Sequence, residues 1–139
     1  MQRTIGLVFP KYKELCETIH SYNFVVNMHI CECLCTKTIS KSQLHHSLYS
    51  KIRKDFPEFP SALIQCARDN AVEMLKSNDS NSFTRKRLDS SIRFDLRTCK
   101  VFLESGELQL TTIAGRKKTK SKFLIILISI FLGKLRLLH

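Results

Sequence analysis

Residues 92–118 read IRFDLRTCKVFLESGELQLTTIAGRKK, and the fold is decided there. Ile92 and Phe94 alternate with Arg93 and Asp95. Cys99, Val101 and Leu103 alternate with Lys100, Phe102 and Glu104, and Leu108, Leu110 and Thr112 with Gln109, Thr111 and Ile113. A two-residue period is what a half-buried strand requires. The stretch therefore predicts strand, turn, strand, turn, strand, and then a basic run. Ser105-Gly106 stands where a hairpin needs a residue free to take positive φ. Gly115-Arg116-Lys117-Lys118 is expected to be a turn followed by clustered cations.

Working outward, the 139 residues suit one core. A net charge of +11 favours anionic partners: nucleic acid first, acidic membrane second. There is no Trp and only four Gly, which argues against low-complexity and repeat architectures. Met1-Gln2-Arg3-Thr4 opens without the pattern of a signal peptide. The six cysteines are accordingly read as free thiols in a reducing, cytoplasmic setting.

Ile5, Leu7 and Phe9 alternate with Thr4, Gly6 and Val8, a first strand stopped by Pro10. It has no neighbouring hairpin partner, so it is expected to pair with the distant sheet. The fold class that follows is α+β: a small antiparallel sheet or barrel with three helices inserted after its first strand. Leu15, Ile19, Tyr22, Val26 and Ile30 recur at spacings of four, three, four and four, in a stretch from Lys11 to about Cys35 free of Gly and Pro. That is one long amphipathic helix. Ser40-Lys41-Ser42-Gln43 fits a capping box, with Ile39 and Leu44 placed as a hydrophobic staple. Loss of the Ser40 cap costs on the order of 1 kcal/mol. Leu44, Leu48, Ile52 and Phe56 form the second helical stripe, and Pro57 and Pro60 end it and start another. Leu63, Ala67, Ala71 and Met74 mark a third helix to about Ser77. The units expected are residues 1–10 with 92–122 as the β domain, 11–77 as helices, 78–91 as a flexible polar connection and 123–139 as an apolar tail.

Several of these residues carry a family resemblance. Pro10-Lys11-Tyr12-Lys13-Glu14-Leu15 follows the first strand, then Glu17-Thr18-Ile19, Tyr22-Asn23, Thr38-Ile39-Ser40-Lys41-Ser42, Leu44-His45, Tyr49, Ile52-Arg53, Phe56-Pro57 and Pro60-Ser61. Ile92-Arg93-Phe94-Asp95-x-Arg97 and Thr112-Ile113-x-Gly115-Arg116 come later. In order and spacing, roughly residues 1–120 resemble the N-terminal part of the TnpB (OrfB) proteins of insertion sequences. Those proteins were long called transposases; they resemble type V CRISPR effectors and are RNA-guided DNA nucleases. The resemblance implies a wedge-like β domain, a helical recognition domain inserted after its first strand, and RNA or DNA held by its phosphates while guide pairing reads sequence. The family's catalytic carboxylates and zinc-ribbon cysteines lie in a RuvC-like domain further along. No residue here corresponds to them, so the chain is expected to be a truncated, non-catalytic fragment.

The candidate nucleic-acid contacts are Arg85, Lys86, Arg87, Arg93, Arg97, Arg116, Lys117, Lys118, Lys120 and Lys122. For Arg85–Arg87 the competing reading is a solvated loop. Arg93 and Arg97 either join the same rim or pair with nearby carboxylates. Phe94 and Phe102 are available for stacking, although Phe94 shares the presumed core face. Cys31, Cys33 and Cys35, with His45 and His46, lack the paired C-x-x-C of a zinc ribbon and are read as small buried hydrophobes. No thiol–histidine nucleophile has an identifiable orienting group, and no phosphate-binding Gly loop is present. No cofactor and no metal is expected.

After Lys122 the composition changes. Phe123 to Leu132 is apolar except for Ser129, too short for a comfortable membrane span. Two other readings arise from it: a membrane-associated protein whose Lys134 and Arg136 meet anionic headgroups, and a remnant gene whose exposed tail invites aggregation. A frameshift is a further hypothesis. One choice among the degenerate codons for Phe123 to Leu127, TTC CTA ATT ATT TTG, read one nucleotide earlier after an A gives Ile-Pro-Asn-Tyr-Phe, which resembles the family's continuation. Sequencing the gene is expected to show that run in the neighbouring frame; a frame without it removes this explanation.

Overall fold

The structure, a computed structural model, describes residues 12–78 and 84–120. The expected first strand, Lys122 and the apolar tail lie outside the described residues. Within them the fold is α+β. Three helices, α1 (Lys13–Thr36), α2 (Lys41–Asp55) and α3 (Ser61–Ser77), precede an open antiparallel sheet of β1 (Cys99–Phe102), β2 (Glu107–Thr112) and β3 (Gly115–Lys120) in that spatial order.

The helices form where an unbroken 3.6-residue period meets good end signals. Tyr22, Val25, Val26, Ile30 and Cys33 of α1 are buried against Leu44, Leu48 and Ile52 of α2 and Leu63, Ile64, Cys66, Ala67, Ala71 and Val72 of α3. Fully burying a Leu or Ile is worth roughly 1.5–3 kcal/mol. Ser40 caps α2, accepting from the Gln43 backbone N–H at 3.4 Å. The other half of the capping box is intercepted: Gln43 Oε1 accepts from the Thr38 hydroxyl at 2.5 Å. The staple is also one-sided, since Leu44 is buried and Ile39 exposed. Between α2 and α3, Phe59 turns inward and the Arg53 guanidinium donates to its carbonyl at 2.8 Å, closing the corner.

Polar groups on α1 tie the later chain to the helices. The Thr18 hydroxyl donates to the Glu14 carbonyl at 2.6 Å and accepts from the Ile113 N–H at 3.0 Å. Asn23 Nδ2 donates to the carbonyls of Leu88 and Ser90. Asn27 donates to the Lys86 carbonyl and accepts from the Lys86 N–H, each at 2.8 Å. Residues 84–91, read from sequence as part of a flexible connection, thus run as a strap along α1.

The strands depart from expectation in three places. Ile92–Asp95 is not a strand: Asp95 accepts from the N–H groups of Thr98 and Cys99 through its carbonyl and from Arg97 N through its carboxylate, while its own N–H donates to the Thr98 hydroxyl. Asp and Thr side chains offer the backbone this local alternative to a ladder. Ile92 and Phe94 pack on the helical core instead. Second, the basic run is itself a strand. Glu107 pairs with Lys120, Gln109 with Lys118 and Thr111 with Arg116, around a turn whose Gly115 has φ of +99°. Third, Cys99 and Val101 do share the inner face, yet Val101 is 50% exposed, and Leu103 falls beyond the end of β1 and is 62% exposed. Leu108 is the strand residue that does reach burial among the apolar ones. Gly106, at φ +64°, makes the turn expected of Ser105-Gly106.

His29 offers a test of the core. Its buried ring donates from Nδ1 to the Val25 carbonyl at 2.8 Å. Burial pushes its pKa down to about 4; the Val25 bond, Asp69 and Glu32 oppose this and Arg68 adds to it. Unfolding returns the ring to about 6.5, so as pH falls the unfolded chain takes the proton first. The stability that neutral His29 contributes is whole above about pH 6.5 and is lost towards pH 4, on the order of 3 kcal/mol. Urea midpoints are expected to fall across this window, and His29→Gln to flatten the fall between pH 6 and 4.5. A wild-type midpoint constant over that range would contradict the assignment.

Candidate nucleic-acid interface

The strand pleat sorts the cations of the sheet. Residues opposite one another in register share a face, and neighbours along a strand alternate. Cys99, Val101, Leu108, Leu110, Thr112, Lys117 and Thr119 therefore share the inner face. It looks onto the start of α1: Thr119 Oγ1 is 3.1 Å from the Tyr12 hydroxyl, and Lys117 Nζ is 3.1 Å from Glu14 Oε1. That pair, after a backbone hydrogen bond, helps hold the Glu14 carboxyl below its ordinary value. The cavity left in this seam, among Tyr12, Leu15, Leu110 and Lys117, is about 10 Å³, room for one water at most.

The outer face carries Lys100 and Phe102 from β1, Glu107, Gln109 and Thr111 from β2, and Arg116, Lys118 and Lys120 from β3. Its four cations are all exposed. Lys118 lies over the Phe102 ring, 4.9 Å from the centroid, and 4.0 Å from Glu107 Oε2. Phe102 remains 37% exposed. The result is a flat polar surface with cations on both outer strands and an aromatic ring at one side. Such a surface can neutralise phosphates and offer a ring to a base.

The sequence candidates divide accordingly. Arg116, Lys118 and Lys120 stand together on this face, whereas Lys117 is turned away. Arg93 is held by Glu73 at 2.6 Å. Arg97 grips Asp95 through Nε at 2.8 Å and also reaches Gln65. Burial works against ionised Asp95, yet donation from Arg97 and Cys66 holds its carboxyl well below the usual carboxylate range. Both arginines therefore act as structural clamps on the 92–98 segment. On the strap, Arg87 pairs with Asp89 at 3.2 Å. Lys86 lies 5.5 Å from the Tyr22 ring centroid and donates to the Ser91 carbonyl; burial, then Arg93, lowers its pKa. Arg85 is exposed. Lys100 was missing from the sequence candidates, although its alternation with Cys99 and Val101 already placed it outward beside Phe102.

Elsewhere, of the three clustered cysteines read as small buried hydrophobes, Cys33 is buried but Cys31 and Cys35 are exposed; Cys66 is buried and Cys16 exposed. His45 stacks on Tyr49 at 4.6 Å, next to His46. Among the described residues no three His, Cys, Asp or Glu side chains converge as metal ligands, and no helix is long and apolar enough to cross a membrane. No protein-family model matches the chain, and no curated protein or solved structure matches it.

Proposed function

We propose that this chain grips nucleic-acid backbones through the outer face of its sheet. The resemblance to the N-terminal part of TnpB (OrfB) proteins implies the same role, that of holding phosphates while base pairing to a guide reads sequence. No catalytic role is assigned to any residue. The observation that carries the proposal is the convergence of Lys100, Arg116, Lys118 and Lys120 on one exposed face, where Glu107 is the one acid among the described ladder residues. The remaining described acids that form ion pairs, Glu14, Glu17, Asp69, Glu73, Asp89 and Asp95, neutralise cations on the helices, the strap and the inner seam.

Binding driven by this face releases counterions. Four phosphate contacts to a single strand give a slope of about −3 in log affinity against log salt concentration. The expected outcome of an anisotropy titration with a labelled oligonucleotide is a slope of that size between about 50 and 200 mM salt. Arg116→Gln with Lys118→Gln is expected to halve it, roughly. Arg93→Gln is expected to lower stability and leave the slope in place. Affinity that stays constant as salt rises would refute the proposal, as would a slope indifferent to the double substitution.

A further inference from the structure

Phe102 is an apolar ring on an otherwise polar face. On β1 its neighbours in register are Glu107 across the ladder and Lys100 two residues back on the same side. Core packing does not account for its position, because the helical core lies beyond the opposite face of the sheet, with Ile113 and Leu108 on that side. Cations flank it in two rows, Lys100 on β1 and Arg116, Lys118 and Lys120 on β3. The rows are two strand spacings apart, about 10 Å. An open groove of about 730 Å³ runs past the ring along the side of β1 that no other described strand covers, lined by Phe94, Asp95, Leu96, Cys99, Lys100 and Val101. Leu96 in that groove is 92% exposed.

We infer that the outer face takes single-stranded nucleic acid, with a base stacked on Phe102 and the flanking phosphates on Lys100 and Lys118. The inference rests on the backbone-binding reading above and narrows it to one class of ligand. Duplex bases are already stacked on one another and present only edges and phosphates, so a flat aromatic ring gains nothing from them. An unpaired base has both faces free, and stacking on an aromatic side chain tolerates any sequence. In the free protein the Lys118 ammonium occupies the ring face. A base laid there displaces the ammonium, which then meets the phosphate of the same chain. The groove beside the ring gives a neighbouring base an apolar wall.

The test compares a labelled single-stranded 12-mer of mixed sequence with a duplex of that sequence at one salt concentration, using the full chain. Phe102→Ala is expected to weaken single-strand binding by about tenfold or more and to leave duplex binding within about twofold. Phe102→Trp is expected to restore the single-strand affinity. Phe102 is exposed, and a circular dichroism melt checks that each variant is folded. If Phe102→Ala binds both ligands as the wild type does, with the salt slope retained, the stacking inference falls and backbone binding stands. Equal loss for both ligands also overturns the stacking. If neither oligonucleotide binds at low salt while vesicles rich in phosphatidylserine do, both readings fall together.

Discussion

The arrangement depends on a few polar side chains buried along α1. Thr18, Asn23 and His29 are all essentially removed from water, where an unsatisfied polar group costs of the order of 1–3 kcal/mol. Each finds backbone to bond, although Asn23 does so through Nδ2 alone and its Oδ1 has no partner among the described residues; for Thr18 and Asn23 that backbone belongs to distant parts of the chain. Thr18 receives the tip of the β2–β3 turn and Asn23 receives the strap. The sheet is thus joined to the helices at defined points as well as through apolar contact. Because the junction fixes the inner face, it also fixes which side of each strand is turned to water. The same constraint that satisfies Thr18 therefore decides that Lys118 faces out and Lys117 faces Glu14.

The helices were legible because local and tertiary signals agree in them. No Gly or Pro interrupts residues 13–36, Ser40 stands before a periodic stripe, and Pro57 and Pro60 bracket a corner. The sheet was legible only in part. Ile92 and Phe94 have the period of a strand, but that period is short, and two well-placed side chains, Asp95 and Thr98, compete for the backbone and win. The Arg116–Lys120 strand was hidden for a different reason. Lysine has weak intrinsic strand preference, so a run of cations reads as a solvated loop. Its ladder with β2 is a tertiary fact, and composition does not carry it.

The candidate site was legible as charge and illegible as geometry. A cation in sequence looks alike whether or not a carboxylate awaits it. Arg93 meets Glu73 and Arg97 meets Asp95, one partner on another element and the other within the same turn. Only the folded chain separates these clamps from the exposed outer-face cations of β3. The pleat then makes a finer division, taking Lys117 out of a run of five cations in the sequence and adding Lys100 from another strand.

The outer face is tolerable to the free protein for a reason that also argues for its use. Arg116, Lys118 and Lys120 are next-nearest neighbours on one strand, about 7 Å apart. In water the repulsion at that distance is roughly 0.6 kcal/mol per pair, and physiological salt reduces it further. Pairing them with acids at the surface would return only about 0–1 kcal/mol each. Folding therefore neither forbids nor demands the cluster. Polyanion binding does distinguish it, since each phosphate neutralised releases a condensed counterion and several cations held at fixed spacing act together. A charge pattern nearly neutral for stability, set on the one sheet face turned away from the helices, is the pattern expected where the surface serves a partner.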